Sequence, residues 1–225
     1  MRMLMLSAAM LLGFVMQGKA DAPPRILSVV GEAQVATVPD MAVISLGVTH
    51  TDRRAGAAMD KVNADANALL EVLATLDVAP RDVQTDQLSV SPIWDNGNNG
   101  PRRITGFVAR NAVSVRVRDL GRLSEIMDAA LDAGSNDFNG LRFALQNPNP
   151  VEAEARAAAV KDAMSRAAGL AEAAGVALGP IITLSEQGGF RQPQMMMAAR
   201  SEDMAIATGE VGVSASVAIT FDLIP

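Results

Sequence analysis

The sequence predicts an α+β protein built from antiparallel sheets covered by helices, in the order ββαββαβαββ. Three observations predict it. Stretches of strand period come in pairs with short polar connections, and such pairs favour antiparallel ladders. Three stretches of helical period are set between those strands rather than in the regular strand-helix alternation of a doubly wound sheet. No Pro-, Gly- or Ser-rich linker interrupts residues 25–186, so two intimately joined subdomains are expected rather than two independent ones.

Residues 26–38 and 42–51 read as the first two strands, and Pro39-Asp40 stands where a hairpin turn would be needed. In the second strand Ile44, Leu46 and Val48 share a face. Residues 53–77 switch to helical spacing, with Ala55, Met59, Val62, Ala66, Leu69, Leu73 and Leu76 at steps of four and three. This helix must end before Pro80.

Residues 83–93 and 104–118 form the next strand pair, around a polar loop from Asp95 to Arg103. Val113, Val115 and Val117 alternate with Ser114, Arg116 and Arg118, the pattern of a sheet with one buried and one wet face. Asp119 is suited to cap a helix over 120–133, and Gly134 to the left-handed position that ends it. Leu141, Phe143 and Leu145 mark a short strand.

A third helix starts at Asn149, Pro150 and Glu152, which read as N-cap, first-turn proline and capping-box acid. Its expected stripe is Ala153, Ala157, Val160, Met164, Ala167, Ala171 and Ala174. It is too short and too alanine-rich for a long coiled coil. Strands follow at 181–186 and 210–223, the last with strict alternation from Val211 to Leu223.

Residues 1–20 have the features of an export signal. Arg2 precedes an uncharged, mostly apolar run from Met3 to Met16, and small residues at Ala20 and Ala22 suit cleavage after either. The alternative is an uncleaved anchor. After cleavage no integral membrane span is expected, and the mature domain is taken as 25–225. The chain has no Cys, which removes disulfides, thiolate metal sites and thiol nucleophiles.

Charge and composition exclude further classes. The full chain has a net charge of −6; without Arg2 and Lys19 the mature domain has 17 basic and 25 acidic side chains, a net −8. Such a domain repels phosphate backbones, and no basic patch is visible in sequence, so nucleic acid is not an expected partner. With 3% aromatics, no Tyr and one Trp, Trp94, stacking surfaces for sugars or single strands also lose support.

Gly31-Glu32-Ala33 through Pro39-Asp40, Leu46-Gly47-Val48, Val83-Gln84-Thr85 to Ser91-Pro92, and above all Ile104-Thr105-Gly106-Phe107 to Asn139-Gly140-Leu141-Arg142-Phe143 resemble the SIMPL-domain family, a domain of unknown function. Glu154-Ala155-Arg156 and 171–175 in the third helix are similar too. The resemblance covers about residue 25 to the C-terminus. It implies an exported, mostly bacterial protein of the periplasm or cell envelope, tied in some relatives to oxidative-stress tolerance and in some to self-association. A eukaryotic namesake partners a kinase, so the resemblance also implies an interaction module. It brings no catalytic residues. Ala33 stands where relatives often have a second glycine, and Phe107 where they often have an aromatic hydroxyl.

Candidates for chemistry are few. His50 is the only histidine, and one His without a second His or Cys does not build a usual transition-metal site, so it is read as structural. Lys61 and Lys161 leave a Ser-Lys hydrolase arithmetically open, but neither lies in a nucleophile motif. Glu152 and Glu154 read as a wet helix face. The glycines at 97, 100, 188 and 189 lack the strand-to-helix context of a phosphate cradle.

Residues 187–207 read as a flexible methionine-rich loop. Met195, Met196, Met197 and Met204 are weak candidates for a soft copper(I) site or an oxidant trap. The bland alternative is packing, with Met195, Met196, Met197 and Phe190 as interface candidates. The expectation is therefore a non-enzymatic envelope protein without a cofactor, a homo-oligomer that binds an unknown protein or envelope partner. Copper buffering or oxidant scavenging by the methionine loop is the alternative, and an undiscovered Ser-Lys hydrolase the further one.

Overall fold

The computed structural model describes residues 24–95, 102–187 and 207–224, together with the backbone of 194–196. The described elements are β1 (Ile26–Thr37), β2 (Met41–Asp52), α1 (Ala55–Thr75), β3 (Val83–Asp95), β4 (Arg103–Val117), α2 (Leu123–Asp132), β5 (Asp137–Ala144), α3 (Asn149–Ala174), β6 (Ala177–Glu186), β7 (Gln194–Met196) and β8 (Glu210–Ile224). The α+β architecture and the element order are as expected, except that β7 interrupts the segment read as a continuous loop. Its three residues pair antiparallel with Glu210 to Gly212 of β8.

The strands form two antiparallel sheets. One has the order β1-β8-β6, with β7 also on β8; the other has the order β3-β4-β2-β5. β1 and β2 therefore do not form the hairpin that Pro39-Asp40 suggested. β1 pairs along its whole length with the C-terminal strand β8, while β2 takes the centre of the other sheet. Turn residues report a change of direction, not the partner of the strand that follows, and here the change is a crossing between sheets. Asp40 secures that crossing: its Oδ1 accepts from Gln146 N at 2.7 Å, and its N–H donates to Ala144 O at 3.3 Å.

Each sheet has its own core. Ile44 and Leu46 of β2 join Val113, Val115 and Val117 of β4 under Leu69 and Leu73 of α1 and Ile126 of α2. Each Leu or Ile fully buried there contributes at most about 1.5–3 kcal/mol. In α1 the buried stripe runs through Ala58, Val62, Ala66, Leu69 and Leu73; Ala55 and Met59, expected inside, sit at its half-buried rim. Asp119 caps a 3-10 turn, Leu120–Arg122, by accepting from Gly121 N at 2.9 Å, and the α-helix begins only at Leu123. Gly134 takes φ +101° just beyond that helix, where glycine relieves strain. β5 starts earlier than the expected 141–145 strand, at Asp137.

The second core lies between α3 and the sheet of β1 and β8. Ala155, Ala159, Ala163 and Ala167 are buried there against Val213, Val217, Ile219 and Phe221, and Ala171 is buried one turn further along the helix. The expected stripe is correct at Ala167 and Ala171 only; Ala153, Ala157, Met164 and Ala174 are exposed and Val160 is half-buried. Alanines occupy every face of this helix, so apolar period alone does not select the buried one. The helix also begins a residue earlier than expected. Asn149 is its first residue, and Asn147 Oδ1 accepts the Asn149 N–H at 3.3 Å.

Gly31 selects the buried face. A Cβ there would lie 2.2 Å from Ala159 O and 2.4 Å from Ala163 N, so β1 touches the helix backbone itself. Ala33, by contrast, is ordinary strand without a positive φ. Leu145 packs against both cores and joins the two halves.

Candidate functional site

Polar side chains gather first where the end of β2 meets α1 and β5. Parity puts His50 on the helix-facing side with Ile44, Leu46 and Val48, and its Nε2 lies 2.6 Å from Asp65 Oδ2 on α1. Asn136 extends the β2–β5 ladder with its side chain, accepting from Thr49 N at 2.8 Å and donating to Thr49 O at 3.0 Å. Thr49 Oγ1 donates to Asp137 Oδ2 at 3.1 Å, and Arg110 pairs with Asp137. His50, Thr49, Asn136, Asp137 and Arg110 each have a partner in this junction, so it reads as a fastening of three elements. Among the described residues no group of three or more His, Asp or Glu side chains is arranged to hold a metal ion.

The two lysines weighed for hydrolase chemistry stand on α1 and α3. Lys61 donates to Asp52 Oδ2 at 3.0 Å, and Lys161 is exposed. Glu152 pairs with Arg156 one turn on, and Arg156 also reaches Glu186 of β6 at 2.9 Å; Glu154 is exposed on the helix surface.

A pocket of about 220 Å³ opens where the C-terminal end of α1, the Leu120–Arg122 turn and the end of β4 meet. Its wall includes Arg81, Arg116, Arg118 and Arg122. Arg118 forks onto Asp82, with Nε to Oδ2 at 2.7 Å and Nη2 to Oδ1 at 2.6 Å. The fork holds the Asp82 carboxyl below its ordinary value, against the opposing effect of burial. Arg122 donates to Leu76 O at 2.8 Å and to Glu125 at 3.0 Å, and Glu125 is lowered in turn by that hydrogen bond. No local sequence pattern marks this site, because its arginines come from three separate stretches of the chain.

The strand edges are the third feature. β6 pairs only with β8 among the described residues, so its outer edge carries unpaired backbone groups. Ile181, Ile182 and Leu184 on it are 46%, 53% and 55% exposed. The long β3 is one edge of the other sheet, opposite β5, with Leu88, Ile93 and Trp94 exposed. Prolines mark both strands, Pro180 in β6 and Pro92 in β3, a residue that sheets tolerate chiefly at edges and bulges. The opposite edge of the first sheet is capped by side chains at its centre instead. Arg166 donates to Val30 O at 3.1 Å, Asp162 accepts from Glu32 N at 2.9 Å, and the two side chains pair at 2.9 Å. A helix thus covers β1 with a side-chain substitute for a neighbouring strand.

Of the methionine candidates, Met195 and Met196 fall in β7, whose backbone pairs with β8 on the flank that β6 occupies further along. Phe190, Met197 and Met204 lie outside the described residues, as do residues 1–20 and Gly97, Gly100, Gly188 and Gly189. Among the described residues no helix is long and apolar enough to cross a membrane.

Comparison with known proteins gives a family and relatives. The family SIMPL, described as "Protein of unknown function (DUF541)", matches residues 27–221. A "26 kDa periplasmic immunogenic protein" of Brucella melitensis is 31% identical over 235 residues, covering 98% of this chain and 93% of the relative. An "Uncharacterized protein YggE" of Escherichia coli K12 is 27% identical over 202 residues, covering 90% of this chain and 80% of the relative. The protein of the same name from Edwardsiella ictaluri is 28% identical over 164 residues, 73% of this chain and 69% of the relative.

Proposed function

Since the chain belongs to the SIMPL family of proteins of unknown function, we propose that it is a non-enzymatic module of the periplasm or cell envelope that self-associates through an open strand edge. The observation that carries this reading is β6, a ten-residue edge strand with three large apolar side chains exposed on it. Such an edge is a template for another strand, and soluble proteins usually blunt or cover it. The same sheet caps the centre of its other edge with Asp162 and Arg166, and the contrast within one sheet supports β6 as an interface. Met195 and Met196, the interface candidates in β7, stand on the same flank of β8 as β6 and fit this placement.

Export follows the same reading. Residues 1–20 act as a cleaved signal and residues 25–225 as the mature domain; the word periplasmic in the name of the Brucella relative supports this. N-terminal sequencing of protein recovered from the envelope should begin at Asp21 or Pro23. The non-enzymatic reading rests on His50 and Lys61 being engaged in pairs that fasten α1 to β2, and on Glu152 being paired with Arg156 one turn along α3. The link to oxidative-stress tolerance rests on the family resemblance. Survival of a deletion strain under peroxide tests it, and the mass of the mature protein in solution, with and without Leu184→Lys, tests the interface.

A further inference from the structure

We propose that the arginine-lined pocket at the end of α1 and β4 binds a small organic acid carrying two acidic groups on a short apolar body. This does not depend on self-association. Four arginines meet in a protein of net −6, so their gathering does not follow from composition.

The four are not equivalent. Arg118 and Arg122 are held in place by Asp82 and by Leu76 O and Glu125. Arg81 and Arg116 make no ion pair or hydrogen bond among the described residues and reach Asp82 only through space, where both help to lower its carboxyl. Two guanidinium groups without partners beside two held in place suit a pair of acidic groups, because the planar fork matches a carboxylate.

The acidic groups of the wall are largely engaged. Asp82 is taken by Arg118, and Asp119 by Gly121 N. Asp77, held at φ +58° just past α1, has no such partner among the described residues, and both it and the carboxylate of Asp119 oppose an anion. Leu76, Val78, Ala79 and the buried Val117 and Ile126 give the remaining wall an apolar character. The volume of about 220 Å³ is below the range of about 300–1,000 Å³ usual for larger ligands. A compact, two-headed acid with a few methylenes matches both the charge and the lining.

Calorimetric titration of the mature protein with succinate, its neutral diamide and inorganic phosphate tests the proposal. Succinate should bind saturably and more weakly as salt rises. The double variant Arg81→Gln/Arg116→Gln, which breaks no existing ion pair, should weaken it roughly tenfold, equivalent to about 1.4 kcal/mol. Asp77→Asn should tighten it. Arg102→Gln, which removes a cation lying 5.3 Å from the Trp94 ring outside the pocket, should leave it unchanged. Absence of saturable succinate binding at millimolar concentration would overturn the proposal, as would equal binding by the double arginine variant. Equal affinity for the diamide would remove the role of charge, and equal affinity for inorganic phosphate would remove the role of the apolar body.

Discussion

Arg118 grips the buried carboxylate of Asp82 through two hydrogen bonds of 2.7 and 2.6 Å, joining the end of β4 to the turn that leads into β3. Asp82 is 4% exposed, so its charge depends on that fork. The grip lowers the folded-state carboxyl below its ordinary value near 3.8. A lowered carboxyl contributes stability that is present above the unfolded value and lost as pH falls through the folded one. Asp82→Asn should therefore cost about 1.5–3 kcal/mol at neutral pH, and the gap from the parent should narrow below about pH 4. Urea denaturation at both pH values checks this; a constant gap would separate Asp82 from the acid limb.

Gly31→Ala should destabilise the half of the protein that contains α3, because the added Cβ meets main-chain atoms that cannot rotate away. The expected loss is about 1–3 kcal/mol, the usual cost of overpacking. Gly169→Ala in the same helix meets nothing within 4 Å and should gain about 0.5–1 kcal/mol. Thermal unfolding of both variants reads the contrast. Equal behaviour would mean that α3 does not rest on β1 as closely as the structure has it.

The capped centre of the β1 edge should open when its side-chain cover is removed. In Asp162→Ala/Arg166→Ala the amide of Glu32 loses its acceptor, and its hydrogen exchange should accelerate. Amides of β8 that face β1 should keep their protection. Unchanged exchange at Glu32 would show that the Asp162–Arg166 pair does not cover the edge.

The His50–Asp65 pair should matter little. Both side chains are about one-third exposed, and exposed pairs contribute up to about 1 kcal/mol. His50→Gln should leave stability within that limit and binding of any partner intact. Loss of partner binding in this variant would assign His50 more than a fastening role.

The parts of the fold that were legible in sequence are those set by local chemistry. Alternation at Val113, Val115 and Val117 found β4, the spacing of Val62, Ala66, Leu69 and Leu73 found α1, and Gly134 marked a positive φ. Partnership was less legible. Nothing near β1 says that its partner is β8, almost two hundred residues away, and Pro39-Asp40 suggested a nearer one. The buried face of α3 was hidden because alanine is equally small on every face; Gly31 revealed it only once strand and helix were in contact. The pocket was hidden for a similar reason, since Arg81, Arg116 and Arg122 share no local pattern. Pro92 and Pro180 were the available signals for edge strands.

If β6 is an assembly edge, light scattering of the mature protein alongside Ile182→Lys/Leu184→Lys reads it out. Two lysines on an exposed edge strand leave its pairing with β8 in place but set like charges against any strand that docks there. The parent should have a mass that is a whole-number multiple of the monomer, and the variant should fall to the monomer with its circular dichroism unchanged. A monomeric parent across the concentration range, or a folded variant that keeps the parent's mass, would contradict the account.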